Sequence, residues 1–278
     1  YLPNLLEEIR KEYREWKKNP ARLPAFMTKR MNIPDSVSEL KVAEWENILS
    51  TKKELPDLSG WSCTCGIDYS KISDFASVNF HFRNGDQRYD ISHSWLCLKS
   101  KDIPRMKCPW KEWSEQGLLT LVDDVEIHPS YLTDYIAEKK KEFNIEKLAL
   151  DDFRYALLSD ALRKIGFDAK AYKNVKLVRP SDIMRVATVI DSCFTNQWFT
   201  WGDNPVLRWA VNNTKLIRSN RRAGRENDAD VGNFVYGKIE AKSRKTDPFM
   251  ALAASMTVED VLPEAKRPKP KFKVFTFG

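Results

Sequence analysis

The alternation of apolar and polar positions divides the chain into helix-like and strand-like stretches. Between residues 5 and 18, Leu5, Leu6, Ile9, Tyr13 and Trp16 recur at helical spacing with charge between them, which predicts an amphipathic helix. Pro20 and Pro24 end it, and residues 22–57 read as an arm of short apolar pieces broken by Pro34 and Pro56, with one or two helical turns over 42–49. From Trp61 to Ile67 the residues are β-compatible and polar residues take over after Asp68, so a short buried strand delivers an acid at its end. Residues 75–82 and 89–98 flank Asn84-Gly85-Asp86, a hairpin signal, and complete an antiparallel meander. Residues 118–127 predict a further strand, and His128-Pro129-Ser130 opens a helix over 131–143. Lys147-Leu148-Ala149-Leu150 is a second compact strand ending on acids, Asp151-Asp152, and the helix over 155–165 closes at Gly166. A strand over 175–178 and a helix over 180–195 follow, then a helix opened by Asn204 and Pro205. Residues 215–218 pair with 234–239 across the polar loop 219–232, and Thr246 or Asp247 caps a last helix over 249–256 with Pro248 in its first turn.

Composition narrows the class. With 278 residues and 42% hydrophobic content the chain can build one large domain or two small ones. No apolar run approaches the ~20 residues that cross a bilayer, and the first thirty residues are too charged for a secretory signal, so neither a membrane-spanning nor a secreted protein is expected. Tyr1 in place of Met leads to the expectation of a piece of a longer polypeptide. Five cysteines, an odd number at irregular spacing, fit free thiols in a reducing compartment. Cys63, Cys65, Cys97 and Cys108 lack the paired short intervals of structural zinc and read as core residues.

The formal charge of +7 favours a polyanionic partner. The excess gathers at 215–225, 238–245 and 266–273, which predicts one basic face. Within it Lys242 and Lys245 are the expected phosphate contacts, joined by Lys238, Arg221 and Arg222 on the hairpin that leads into Asp247. A set of solvated lysines is the plainer reading of the same clusters. His81, His93 and His128 have no metal-ligand spacing and read as structural, and Trp198, Trp201 and Trp209 as core aromatics.

Three acids stand at element ends in this α/β order: Asp68, Asp151 and Asp247. Burying an unpaired carboxylate costs several kcal/mol, so each needs a Lys or Arg partner or a metal. Should the two strands be sheet neighbours and the last helix pack on them, the acids form the oxygen-rich site that two Mg²⁺ or Mn²⁺ ions require for phosphodiester cleavage. Asp74 is a supporting candidate, Asp152 is the alternative to its neighbour Asp151, and the run Val122-Asp123-Asp124-Val125-Glu126 offers an extra acid.

Gly66-Ile67-Asp68-Tyr69-Ser70 with Asp74, Leu148-Ala149-Leu150-Asp151-Asp152-Phe153, Asn204-Pro205-Val206-Leu207-Arg208-Trp209 with Asn212-Asn213, and Lys245-Thr246-Asp247-Pro248 resemble the motifs of the nuclease domain of tailed-phage terminase large subunits. The resemblance covers residues 26–261. It implies a ribonuclease-H-like mixed sheet flanked by helices, with an added basic hairpin and an N-terminal helical arm. It also implies a metal-dependent endonuclease that cuts concatemeric double-stranded DNA during packaging in the host cell cytoplasm. Asp68, Asp151 and Asp247 would bind the two metals, with Asp151 favoured over Asp152 because Phe153 fills the family's aromatic place. The implied partners are DNA, the small terminase subunit, the portal and an ATPase domain; no Gly-rich loop ending in Gly-Lys-Ser/Thr occurs, so no ATP hydrolysis is expected of this chain. The expected layout is an arm remaining from the ATPase connection at 1–57, a nuclease domain at 58–262 and a basic tail at 263–278. A non-catalytic DNA-binding or docking module and a resolvase-like nuclease are the alternatives.

Overall fold

The computed structural model describes residues 2–18, 41–218, 234–240 and 242–263. The chain divides into two compact units, 1–41 and 42–278. The first carries the expected N-terminal helix, α1 (Leu2–Lys18). The second begins at Val42 rather than at 58. Val42 and Ile48, the latter on the short helix α2 (Trp45–Leu49), are buried in a core with Phe199 and Trp201, and the Trp201 amide donates to the Thr51 carbonyl at 2.9 Å. Residues 42–57 thus pack with the main body.

The centre of this unit is a mixed sheet of β1 (Ser62–Asp68), β2 (Ala76–Asn84), β3 (Gln87–Cys97), β4 (Leu119–Val122), β5 (Asn144–Asp151), β6 (Val175–Val178) and β7 (Phe199–Thr200). The order is β4-β3-β2-β1-β5-β6, with β7 attached to β3. Strands β1 to β3 form the expected antiparallel meander, and β5 runs parallel to both β1 and β6. The β2–β3 turn has Gly85 and Asp86 as its central residues and only Gly85 at positive φ, +60°, so glycine occupies the one position where a side chain would be strained. The strand expected over 118–127 is shorter, because Asp123 and Asp124 turn the chain: Asp124 accepts from the next amide, and Asp123 pairs with Lys99 at the surface.

Helices cover both faces, which is why β1 is buried from Cys63 to Ile67 without alternation. On one face Cys63, Cys65, Ile67, Val78, Phe80 and Leu150 pack with Leu132 and Ile136 of α4 (Pro129–Lys139) and Leu158 and Leu162 of α5 (Asp152–Lys164). On the other, Ala149 packs with α6 (Pro180–Thr195), α7 (Pro205–Asn212) and α8 (Asp247–Met256). The period of two places Thr64, Gly66 and Asp68 on this second face, and with them Ala149 and Asp151. A small third core joins Phe75, Leu96 and Leu119 to Trp113 of α3 (Trp110–Glu115). Strands β8 (Thr214–Arg218) and β9 (Phe234–Lys238) form the expected basic hairpin. The loop 219–233 and residues 264–278, with the tail and its 266–273 cluster, lie outside the described residues. Among the described residues no helix is long and apolar enough to cross a membrane.

Helix α8 is pinned to the sheet at two levels. Its backbone lies so close to β1 that a Cβ on Gly66 would overlap the carbonyl of Ala251 and the amide of Ser255. Beyond its C-terminal end, Glu259 meets a buried polar cluster: His81 lies between Asp90 Oδ1 at 2.8 Å and Glu259 Oε2 at 3.1 Å. Arg88 forks onto both oxygens of Glu259, and Asn79 and Trp201 donate to Asp90. Burial alone would lower the His81 pKa, but Asp90 and Glu259 raise it to about 9. Burial would raise that of Glu259, but His81 and Arg88 hold it down to about 2.

Two stability measurements follow from these contacts. Gly66→Ala should cost about 3 kcal/mol in urea unfolding, because only backbone atoms are available to move; a loss under ~0.5 kcal/mol would refute the close approach. The His81 contribution is complete below its unfolded pKa of 6.5 and fades as pH rises toward 9, whereas that of Glu259 is complete above 4.5 and fades as pH falls toward 2. Unfolding free energy should therefore fall by on the order of 2 kcal/mol between pH ~6.5 and ~9. That slope should become shallower in His81→Gln, and an unchanged slope would contradict the pairing.

Candidate metal centre

Strands β1 and β5 are parallel neighbours with Ile67 opposite Leu150, so Asp68 and Asp151 leave the sheet side by side at its C-terminal edge. Both line one open cleft of about 480 Å³ together with Arg154, Arg179 and Tyr236. Asp247 reaches the same edge from the helix above. Because α8 runs antiparallel to β1, with Ser255 accepting from Thr64 Oγ1 at its far end and Ala251 over Gly66, its first residue comes down near Asp68. The helix N-terminus favours a carboxylate there. Asp247 is only 4% exposed, and its Oδ2 is buried without a hydrogen-bond partner.

The charges of this edge are tightly interdependent. Burial first, and then the neighbouring Asp247, pushes the Asp68 pKa well above the usual carboxylate range, against Lys238 and Arg154. Burial likewise raises Asp247 to about 6, with Lys238 opposing and Asp74 adding to the rise. Asp74, in the loop after β1, is raised by burial but carried below its ordinary value by Lys238 and Lys245, both of which meet its Oδ1 at 2.8 Å. Lys238 also stands 3.6 Å from Asp247 Oδ1. Lys245 reaches Asp102 Oδ2 at 2.6 Å. Four acids thus face two ammonium groups, with Arg154 also acting on Asp68 and Arg105 at 3.9 Å from Asp102. The hard oxygen donors and the orphaned Asp247 oxygen fit a divalent cation. Among the described residues no three His, Cys, Asp or Glu side chains already form a metal-binding group.

The positions of the other candidates are specific. Asp151 caps α5, accepting from the Phe153 amide at 2.9 Å through Oδ1, and the helix begins at Asp152 instead of near 155 for that reason. Asp152 is exposed in the first turn and is absent from the cleft lining. Lys245 requires a correction: at 0% exposure, between Asp74 and Asp102, its ammonium cannot meet a DNA phosphate. Lys238 points into the acids as well, whereas Lys242 is exposed. Arg221 and Arg222 lie outside the described residues. His93 donates to or accepts from Thr120, and His128 caps α4.

The Asn204–Asn213 motif acts through the backbone. Asn204 caps α7 by accepting from Leu207, and Asn213 Nδ2 donates to the carbonyl of Lys245, fixing the segment that enters α8. Sequence reasoning missed Arg154 and Arg179 on the cleft. Their signal was position: Arg154 is three residues after Asp151, and Arg179 stands at the entry to α6, whose preceding strand is the sheet neighbour of β5.

No curated protein matches this chain. The crystal structure of the HK97 bacteriophage large terminase superposes with a TM-score of 0.64 at 14% identity, over 90% of this chain and 50% of that one. The chain thus spans about half the length of that protein. The large terminase nuclease of thermophilic phage G20c, crystallised with bound magnesium, gives a TM-score of 0.45 at 9% identity over 79% of this chain and 97% of that one. The large terminase nuclease domain of Thermus phage P74-26 gives 0.40 at 9% over 77% and 93%. The family model of the terminase large subunit, endonuclease domain, matches residues 3–229, and the chain belongs to that family.

Proposed function

We infer that this domain is a metal-dependent endonuclease that cuts concatemeric double-stranded phage DNA during genome packaging. The observation that carries the reading is the meeting of Asp68 and Asp247, which are remote in sequence, with one buried Asp247 oxygen left unpartnered. Asp68, Asp151 and Asp247 would hold the Mg²⁺ or Mn²⁺, as two ions. A divalent metal held there would supply Lewis-acid stabilisation of the charge on the scissile phosphate and a more acidic water. The chain's own groups prepare that chemistry. Asp151 presents a carboxylate from a rigid helix cap, and Lys245 with Asp102 holds Asp74 against the site. Arg154 and Arg179 flank the cleft as cations for the phosphates on either side. Phosphate contacts carry no sequence information directly, so cleavage of naked DNA should be non-specific and sequence choice should come from the small terminase subunit. The ATPase domain and the portal are the further partners proposed, because the sequence has no Gly-rich loop ending in Gly-Lys-Ser/Thr.

Nicking of supercoiled plasmid in Mn²⁺ tests the reading. EDTA should abolish it, and Asp68→Ala or Asp247→Asn should reduce it more than ~100-fold, beyond what loss of an outer-shell group costs. A folded Asp68→Ala protein that cuts normally would remove Asp68 from the metal site, and a wild-type protein that never nicks would leave a DNA-binding module as the remaining interpretation. The adjacent acids separate cleanly: Asp151→Asn keeps the helix cap and should lose cutting with little change in melting, while Asp152→Asn should retain both. Loss of cutting in the second variant alone would reverse the assignment.

A further inference from the structure

We propose that Lys238 is a tethered cation that neutralises the metal-binding acids until a divalent ion displaces it, so that filling the site releases the end of β9. The inference rests on the reading of Asp68 and Asp247 as metal ligands. Two ammonium groups converge on the same Asp74 oxygen, each at 2.8 Å. They are not equivalent. Lys245 is fully buried and has Asp102 as a second anchor, which keeps it in place whatever happens at the centre. The other ion-pair partner of Lys238 is Asp247, at 3.6 Å, and its charge acts on Asp68 too.

Lys238 is the last residue of β9, in a two-stranded sheet separate from the central one, and its side chain is 26% exposed. Its flexible stem lets the ammonium swing out without moving the central sheet. A single positive charge cannot match this set of acids, and Asp247 Oδ2 stays unpartnered with Lys238 in place. A divalent ion brings twice the charge to the same oxygens, and like charges this close oppose each other. The exchange is therefore competitive: ammonium out, metal in.

Manganese binding, followed by the electron paramagnetic resonance of free Mn²⁺, tests the competition in the whole chain without reference to cutting. Lys238→Met, which keeps the stem and removes the charge, should bind Mn²⁺ about tenfold more tightly, at the lower end of what an opposite charge at this distance does to a carboxylate. Its metal-free form should melt earlier than wild type and gain more from Mn²⁺. Equal or weaker Mn²⁺ binding by Lys238→Met overturns the proposal. A second measurement needs no variant: acylation of lysine amines, read by mass spectrometry, should rise several-fold at Lys238 on adding Mn²⁺ while Lys245 stays protected. Unchanged labelling of Lys238 overturns the displacement. Asp68→Asn separates the two levels of the argument. If no form shows Mn²⁺ uptake sensitive to Asp68, the metal reading itself falls; uptake that depends on Asp68 but ignores Lys238 removes this inference alone.

Discussion

The backbone contact between α8 and β1 is the constraint on which the site depends. Asp247 lies far along the chain from Asp68, and nothing local brings the two together. A helix that lies directly on a strand does so, and only because Gly66 has no side chain and the facing residues Ala251, Ala254 and Ser255 are small. The helix axis, its antiparallel direction and its depth are set together by this contact. The position of Asp247 over the end of β1 follows without further adjustment. At its other end the helix runs into the Glu259–His81–Asp90 cluster, so it is held at both extremities by charge and in the middle by close packing.

Electrostatics then explains why two lysines point inward in a protein whose surplus of positive charge first suggests an exposed basic face. Burial raises the pKa of acids gathered at one edge of a sheet, and neighbouring acids add to it, Asp247 acting on Asp68 and Asp74 on Asp247. Part of the basic count is used to hold them. Lys238 and Lys245 serve the acids, while Arg154 and Arg179 remain on the cleft wall. Net charge counts cations without saying which way they face.

Much of the architecture was legible because it rests on short-range rules. Strand ends marked by Asp68 and Asp151, the glycine of the β2–β3 turn, the prolines at 129, 180, 205 and 248 and the asparagine cap at 204 each act over a few residues, and each element appeared where those signals placed it. Elements without such signals were missed: α3 is short and has Pro109 at its start without a side-chain cap, and β7 has two residues that are strand only because β3 lies beside them. The same distinction applies to the site. The acids were readable as residues at element ends. The burial of Lys245 was not, because it depends on Asp74 and Asp102, both remote in sequence, and neither was the His81–Asp90–Glu259 cluster, whose members come from two strands and a turn.

The helix cap at Asp151 limits the chemistry of that position. Its Oδ1 accepts from the amide of Phe153, so the direction of the carboxylate is set by the first turn of α5. A longer acid such as glutamate would give up the capping bond and overshoot. The aim of this side chain is thereby dictated by secondary structure, and its reach is as rigid as the helix that begins on it.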